Sequence, residues 1–276
     1  MILLKADVPV DQPDRRDIDI TDRCFALRDG MKLLLLGTTG YHPNQRRHTA
    51  CFMIPELGIV LDAGSGMFRL SEHLATRELD IFLSHAHLDH IVGLTYLLGI
   101  LHGRDMQQVV LHGEQEKLAA IQRHLFSDLI FPVKPQMEFR PLAAEVPLRG
   151  AGRLTHFPLE HPGGAVGFRL DWPGHSLAYV TDTTAAPGVD YLEKIRGVDL
   201  LLHECYFPDE LARLAADRFH SSTSAVATVA RDAQVGRLVL VHMNPADSRV
   251  DPIGVGDAQA IFPATEVGQD GMEVEF

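Results

Sequence analysis

The sequence predicts an α/β chain in which sheets are covered by helices, and three observations predict it. Short runs rich in Leu, Val and Ile recur along the chain, many of them bounded by Gly, Pro or Asp. Segments with apolar residues at helical spacing lie between these runs. Neither half carries a Gly-x-Gly-x-x-Gly after a strand or a Walker lysine motif, so a Rossmann unit is not expected. Strand-rich stretches with interspersed helices favour an α/β sandwich.

Taken in order, residues 1–24 are polar and charged, with Asp11, Asp14, Asp17, Asp19, Pro9 and Pro13. They read as a flexible lead-in, or an arm across a partner, ahead of a single domain over 25–276. Lys32 to Leu36 reads as a strand ending at Gly37. Cys51 to Ile54 and Ile59 to Asp62 flank Pro55-Glu56-Leu57-Gly58 and form a hairpin. Met67 to Thr76 fits a helix, Asp80 to Ser84 a buried strand, and Ile91 to His102 an apolar helix interrupted by two glycines. Val109 to His112 is a strand and Glu114 to Leu125 an amphipathic helix. Strands follow near 137–141, 153–157, 165–171 and 175–181, mostly as hairpins, with a turn at Pro173-Gly174. Beyond Asp182, helices are expected at Val189 to Arg196, Pro208 to Ala216 and Thr223 to Ala233. Strands are expected at Val198 to Leu202 and Arg237 to Val241, and a last hairpin-like piece at Met272 to Phe276.

Composition bounds the function. An apolar fraction of 46% in 276 residues supplies a real core. The net charge of −12 argues against a broad basic surface for nucleic acid, though not against a small anionic substrate. Cys24, Cys51 and Cys205 are scattered and show no Cys-x-x-Cys spacing, so neither a disulfide framework nor a cysteine zinc site is expected. The N-terminus lacks a positive start followed by an apolar run, and no stretch approaches the roughly 20 apolar residues of a membrane span. A cytoplasmic protein without membrane contact is the expectation.

The chemistry concentrates in Ser84-His85-Ala86-His87-Leu88-Asp89-His90, between an expected strand and an expected helix. Residues two apart on an extended segment share a side, so His85 and His87 can reach one metal ion together. Asp89 and His90 follow the turn into the helix and can face a second point. Imidazole suits zinc, and a carboxylate adds charge and oxygen ligation. Asp89 alone would serve as a helix cap and one histidine alone as a packed core residue. Three histidines and an aspartate within six residues are hard to explain without metal.

This run resembles the signature of the metallo-β-lactamase superfamily. The resemblance implies a four-layer αββα sandwich with two divalent ions at one edge of its sheets. Zinc is the default, and manganese or iron suits the same donors. It also implies three later ligands, and His161, Asp182 and His242 stand in the required order at expected strand ends. By the resemblance His85, His87 and His161 hold one ion, Asp89, His90 and His242 the other, and Asp182 bridges them. Asp62, before Ala63-Gly64-Ser65-Gly66, resembles the family's early aspartate, which orients a ligand from behind. Each later residue also has a plainer reading: His161 as a loop residue, Asp182 as a turn cap, His242 as a strand end.

Two further segments, Leu201-Leu202-His203-Glu204-Cys205-Tyr206-Phe207 and Phe219-His220-Ser221-Ser222-Thr223, resemble loops of the ribonuclease Z-like phosphodiesterases. There a glutamate and a histidine assist proton transfer, and Glu204 and His220 match them; a helix-cap or loop role is the plainer reading. Leu36-Gly37-Thr38-Thr39-Gly40 and Asp270-Gly271 resemble the same branch. Two departures stand out: an extra serine after His220, and no long basic tRNA-gripping arm between His161 and Asp182. The resemblance implies a dinuclear metal-dependent hydrolase. The expected activity is phosphodiesterase, on a small phosphodiester or a nucleotide or RNA end, by a metal-activated hydroxide that Asp89 also orients. The alternatives are a tRNA 3′-processing endonuclease (ribonuclease Z), a carbon-ester hydrolase for a lactone or thioester, and a binding module without catalysis. Large RNA is disfavoured by the acidic charge and the missing arm. Arg46 and Arg47 either meet an anionic substrate or belong to a solvated loop. A homodimer is the family-level expectation.

Overall fold

Along β1 (Lys32–Gly37), Leu33 and Leu35 are buried among Phe52, Leu61, Phe168, Tyr179 and Leu202. Leu34 and Leu36 are buried on the other side, among Met53, Val60, Met67, Leu94 and Leu97. A strand covered on both faces needs an unbroken apolar run rather than an alternating one, and that is how this segment reads. The computed structural model describes residues 30–276. The lead-in expected over 1–24 lies outside the described residues, as does Cys24.

The first sheet has the order β14 (Glu273–Glu275), β1, β2 (Cys51–Ile54), β3 (Ile59–Leu61), β4 (Glu78–Phe82), β5 (Gln108–Gly113) and β6 (Glu138–Pro141). β2 and β3 form the expected hairpin, closed by a turn at Pro55–Leu57 and by Gly58 at φ 59°. β3 to β6 run parallel. The second sheet has the order β13 (Thr265–Val267), β12 (Arg237–Val241), β11 (Leu200–Glu204), β10 (His175–Val180), β9 (Ala165–Trp172), β8 (Gly152–Leu159) and β7 (Glu145–Leu148). β7 to β10 form an antiparallel meander, and β10 to β13 run parallel. Helices Thr223–Asp232 and Val255–Ile261 cover the outer face of this sheet, where Val226, Val229, Ala230 and Ala258 share a core with Val180, Leu201, Leu238 and Leu240. The short helical turns between 65 and 101 and the helix from Gln115 cover the first sheet. The result is a four-layer αββα sandwich.

Several expected elements differ. The helix expected over Ile91 to His102 is three short pieces, Leu88–Ile91, Val92–Tyr96 and Leu97–Ile100. Gly93 there approaches Gly64 so closely that a Cβ would lie 2.3 Å from its carbonyl oxygen. The helix expected over Met67 to Thr76 is a 3₁₀ turn at Ser65–Arg69 and one α-turn at Leu70–His73. Glu114 to Leu125 begins as an α-helix at Gln115–Ala120 and loosens into a π-turn at Ile121–Leu125. Val189 to Arg196 is a chain of turns that still buries Tyr191 and Ile195, held between Gly188 and Gly197 at positive φ. β7, helix Val255–Ile261 and β13 had no expected counterpart. β7 is an edge strand carrying Pro147, and a proline demotes a run to an edge. The final segment, β14, pairs with β1.

Cys51 and Cys205 are buried free thiols. Among the described residues no helix is long and apolar enough to cross a membrane.

Candidate metal centre

Five strands bring the site together at their carboxyl ends. β3 ends before Asp62, β4 before the 84–90 segment, β10 before Asp182 and β12 before His242, while Glu204 closes β11. His161 lies between β8 and β9. Asp62, Asp182 and His242 all adopt the left-handed backbone region, at φ 56°, 46° and 55°. Residues other than glycine rarely accept this conformation, and they cluster at functional sites. The reversal lets a side chain leave the end of a buried strand towards the sheet edge.

Two groups of donors result. Ligand atoms of His85, His87, His161 and Asp182 lie within 4.8 Å of one another, and so do those of Asp89, His90 and His242. Asp182 lies between the groups. Its carboxylate is 3.6 Å from His85, 3.4 Å from His90, 3.4 Å from His161 and 3.2 Å from His242. Burial alone would raise the Asp182 carboxyl, but the surrounding imidazoles win and hold it well below the usual range. His85 is also held well below its usual range, since burial and the neighbouring His90 keep its ring neutral. Burial likewise takes His161 down to about 4. Neutral imidazoles and ionised carboxylates are the forms that ligate metal.

The residues fit two divalent cations. The Nε2 of His85 is buried with no hydrogen-bond partner. The Nε2 atoms of His90 and His242 face each other at 3.1 Å, and Nε2 of His161 faces Nδ1 of His87 at 3.2 Å. Facing ring nitrogens waste lone pairs unless a cation lies between them.

Asp62 sets the tautomers from behind. Its Oδ2 accepts from His90 Nδ1, Ser84 Oγ and Tyr179 OH, each at 2.7 Å, and its Oδ1 accepts from the Ser84 amide at 2.8 Å. Ser84 Oγ in turn lies 3.0 Å from His85 Nδ1. With both Nδ1 atoms occupied, the Nε2 lone pairs of His85 and His90 are left for metal.

Beside this centre Glu204 is fully buried, and its Oε1 accepts from the amides of Thr183 and Ser221, both at 3.1 Å, and from His220 Nδ1 at 3.3 Å. Burial raises the Glu204 carboxyl, with His220 opposing. Burial lowers the His220 ring, but the carboxylates of Glu204, Asp182 and Asp89 together outweigh it and lift His220 above the ordinary range. A ring nitrogen of His220 lies within 4.8 Å of ligand atoms of Asp182 and His242. The extra serine is absorbed as an anchor: Ser221 Oγ donates to the Thr183 carbonyl at 2.7 Å and accepts from the Ala185 amide at 2.9 Å.

A sequence model of the beta-lactamase superfamily domain matches residues 58–243, from the β2–β3 turn to just past His242. The chain belongs to the beta-lactamase superfamily. Ribonuclease BN of Escherichia coli is 28% identical over 305 aligned residues, covering 87% of this chain and 98% of that protein. The metallo-β-lactamase fold protein YhfI of Bacillus subtilis superposes with a TM-score of 0.75 at 20% identity, over 90% of this chain and all of that one. The short form of human tRNase Z superposes at 0.68 and 20% identity, over 88% of this chain and 98% of its own. The fold and His/Asp cluster of this chain make it a metal-dependent hydrolase.

Not every sequence expectation reaches this superfamily site. Arg47 is buried, and its guanidinium donates to Thr38 Oγ1 at 2.7 Å and to the Gly268 carbonyl, so it braces a loop and cannot meet substrate. Asn44 Oδ1 accepts from the amides of Arg46 and Arg47, both at 2.9 Å, and this turn folds Arg47 inward. Arg46 remains exposed, bonded to the Arg249 carbonyl at 3.1 Å. Tyr179 and Tyr206 went unnoticed in the sequence. A tyrosine inside a fully buried strand needs a partner for its hydroxyl, and that signal could have found Tyr179. Tyr206 stacks on His220 with centroids 4.3 Å apart and planes 13° from parallel.

Gly40 packs so closely on His242 that a Cβ would lie 2.3 Å from Cε1 and 2.7 Å from Nε2 of the ring. Gly40→Ala is therefore expected to displace His242 and weaken metal binding by about ten- to a hundred-fold. Chelator competition against the wild type measures this; unchanged affinity would show that His242 can shift without consequence.

Proposed function

We propose that this hydrolase is a phosphodiesterase acting on a small phosphodiester or on a nucleotide or RNA end. The observation that carries the reading is the Glu204–His220 pair, with Glu204 fully buried and His220 half-buried beside both donor groups. When bound, two divalent ions, zinc by donor type, supply charge on the phosphoryl oxygens and a water of lowered pKa. His85, His87 and His161 would hold one, Asp89, His90 and His242 the other, and Asp182 both.

The remaining work falls to protein groups. Glu204 holds His220 by Nδ1, which leaves Nε2–H as a proton donor for the leaving oxygen. Tyr206, stacked on the same ring, restricts its rotation. A carbonyl ester with an activated leaving group has less need of such a donor than an alkyl phosphodiester. The name of ribonuclease BN, a relative over most of the chain, supports cleavage at phosphorus. Against a large RNA stand the net charge of −12 and the direct joining of β9 to β10 by the Pro173-Gly174 turn.

Glu204→Gln and His220→Ala are expected to lower kcat on an alkyl diester such as thymidylyl-3′,5′-thymidine by about a hundred-fold or more, and to lower it far less on bis(p-nitrophenyl) phosphate, whose leaving group needs no proton, while metal content stays at the wild-type value. The same preparations are assayed on a lactone and a thioester. Cleavage of a carbon ester alone by the wild type would overturn the assignment to phosphorus.

A further inference from the structure

Tyr41 lies at the mouth of the centre, and the donor groups and the proton-donor pair make no use of its ring. It is 74% exposed. Its backbone adopts φ 56°, the left-handed region that a bulky residue avoids. Its amide donates to Asp89 Oδ2 at 2.7 Å, so the residue is anchored to the metal-ligand shell by its main chain and not by its side chain.

The preceding chain is clamped. Thr39 Oγ1 donates to the Met243 carbonyl at 2.7 Å, the Gly40 amide donates to the same oxygen at 3.1 Å, and the Thr39 amide donates to His48 O at 2.9 Å. With Gly40 pressed on His242, the Tyr41 Cα has little freedom. Among the aromatic rings of the described residues, its neighbour is His42, tilted, with centroids 5.2 Å apart. Leu88, the residue before Asp89 in the chain, is 68% exposed. Two large exposed side chains thus adjoin Asp89, one through its backbone bond and one through the chain.

We propose that the Tyr41 ring is a stacking platform for the base of a nucleoside phosphodiester whose phosphate lies at the metal centre. An aromatic ring on a fixed backbone suits this role because every base has a π-face and the backbone share of the ordering entropy is already spent. The proposal rests on the phosphodiesterase reading and narrows it to diesters that carry a nucleoside.

The test uses the metal-loaded full chain and two esters with one leaving group, thymidine 5′-(p-nitrophenyl phosphate) and methyl p-nitrophenyl phosphate. Calorimetric binding of thymidine 5′-monophosphate and of methyl phosphate supplies a readout independent of turnover. The wild type is expected to prefer the nucleoside compound in both. Tyr41→Ala keeps the amide bond to Asp89 and is expected to reduce both preferences about ten-fold, with the kinetic loss in KM. Tyr41→Trp is expected to retain them. An unchanged preference in Tyr41→Ala overturns the stacking site and leaves the phosphodiesterase reading standing. Hydrolysis of neither ester, beside turnover of a lactone or thioester, overturns both.

Discussion

Asp182→Ala is expected to lower hydrolysis by about a thousand-fold or more, the several kcal/mol that paired ions contribute to a transition state. Among the described residues its carboxylate alone lies within 3.6 Å of His85, His90, His161 and His242 together. Those histidines come from three parts of the chain, and this one negative charge lies between them all. Elemental analysis should show metal content falling with activity. Asp182→Asn keeps the shape and removes the charge; it should bind metal better than the alanine variant yet remain far below the wild type. Full activity with both sites filled in Asp182→Ala would sink the assignment of this residue as the shared ligand.

The second large effect is on stability. Asp62→Ala should destabilise the metal-free protein by about 3–5 kcal/mol, because it strands four buried donors that all point at this carboxylate. Ser84 N, Ser84 Oγ, His90 Nδ1 and Tyr179 OH all terminate on this one carboxylate, which is wholly inaccessible to solvent. Total stabilities of domains run to about 5–15 kcal/mol, so the variant would approach the limit of folding. Urea denaturation of the apo-protein measures it. Tyr179→Phe, which removes one donor together with its need, should lose only about 1 kcal/mol. Equal midpoints for Asp62→Ala and the wild type would mean that the network is not holding the two sheets at this edge.

How much of this was legible in the sequence depends on how local the signal was. The donors at 85–90 form one contiguous run, and their spacing alone separates two pairs of directions. His161, Asp182 and His242 could be matched only through a family resemblance, since nothing near them in the chain shows that the ends of β8, β10 and β12 converge. Arg47 misled because a positive side chain in a loop reads as exposed, whereas Asn44 turns the loop and draws the guanidinium under Thr38. The helix expected at 189–196 has apolar residues at helical spacing, but turns between two glycines bury Tyr191 and Ile195 equally well. Short edge strands such as β7 and β13 carry little apolar pattern of their own and exist because a neighbour offers hydrogen bonds.

The left-handed backbones of Asp182 and His242 have a consequence for how this protein can change. Each such residue holds the chain in a conformation that disfavours any side chain by about 1–2 kcal/mol, and glycine would recover much of that. The most heat-resistant sequence for this scaffold is therefore not its working sequence. A laboratory selection that rewarded survival at high temperature alone would drift towards glycine at these two positions and enrich inert proteins. Selection for both properties would have to find its gains elsewhere, in the helices and edge strands far from the strand ends.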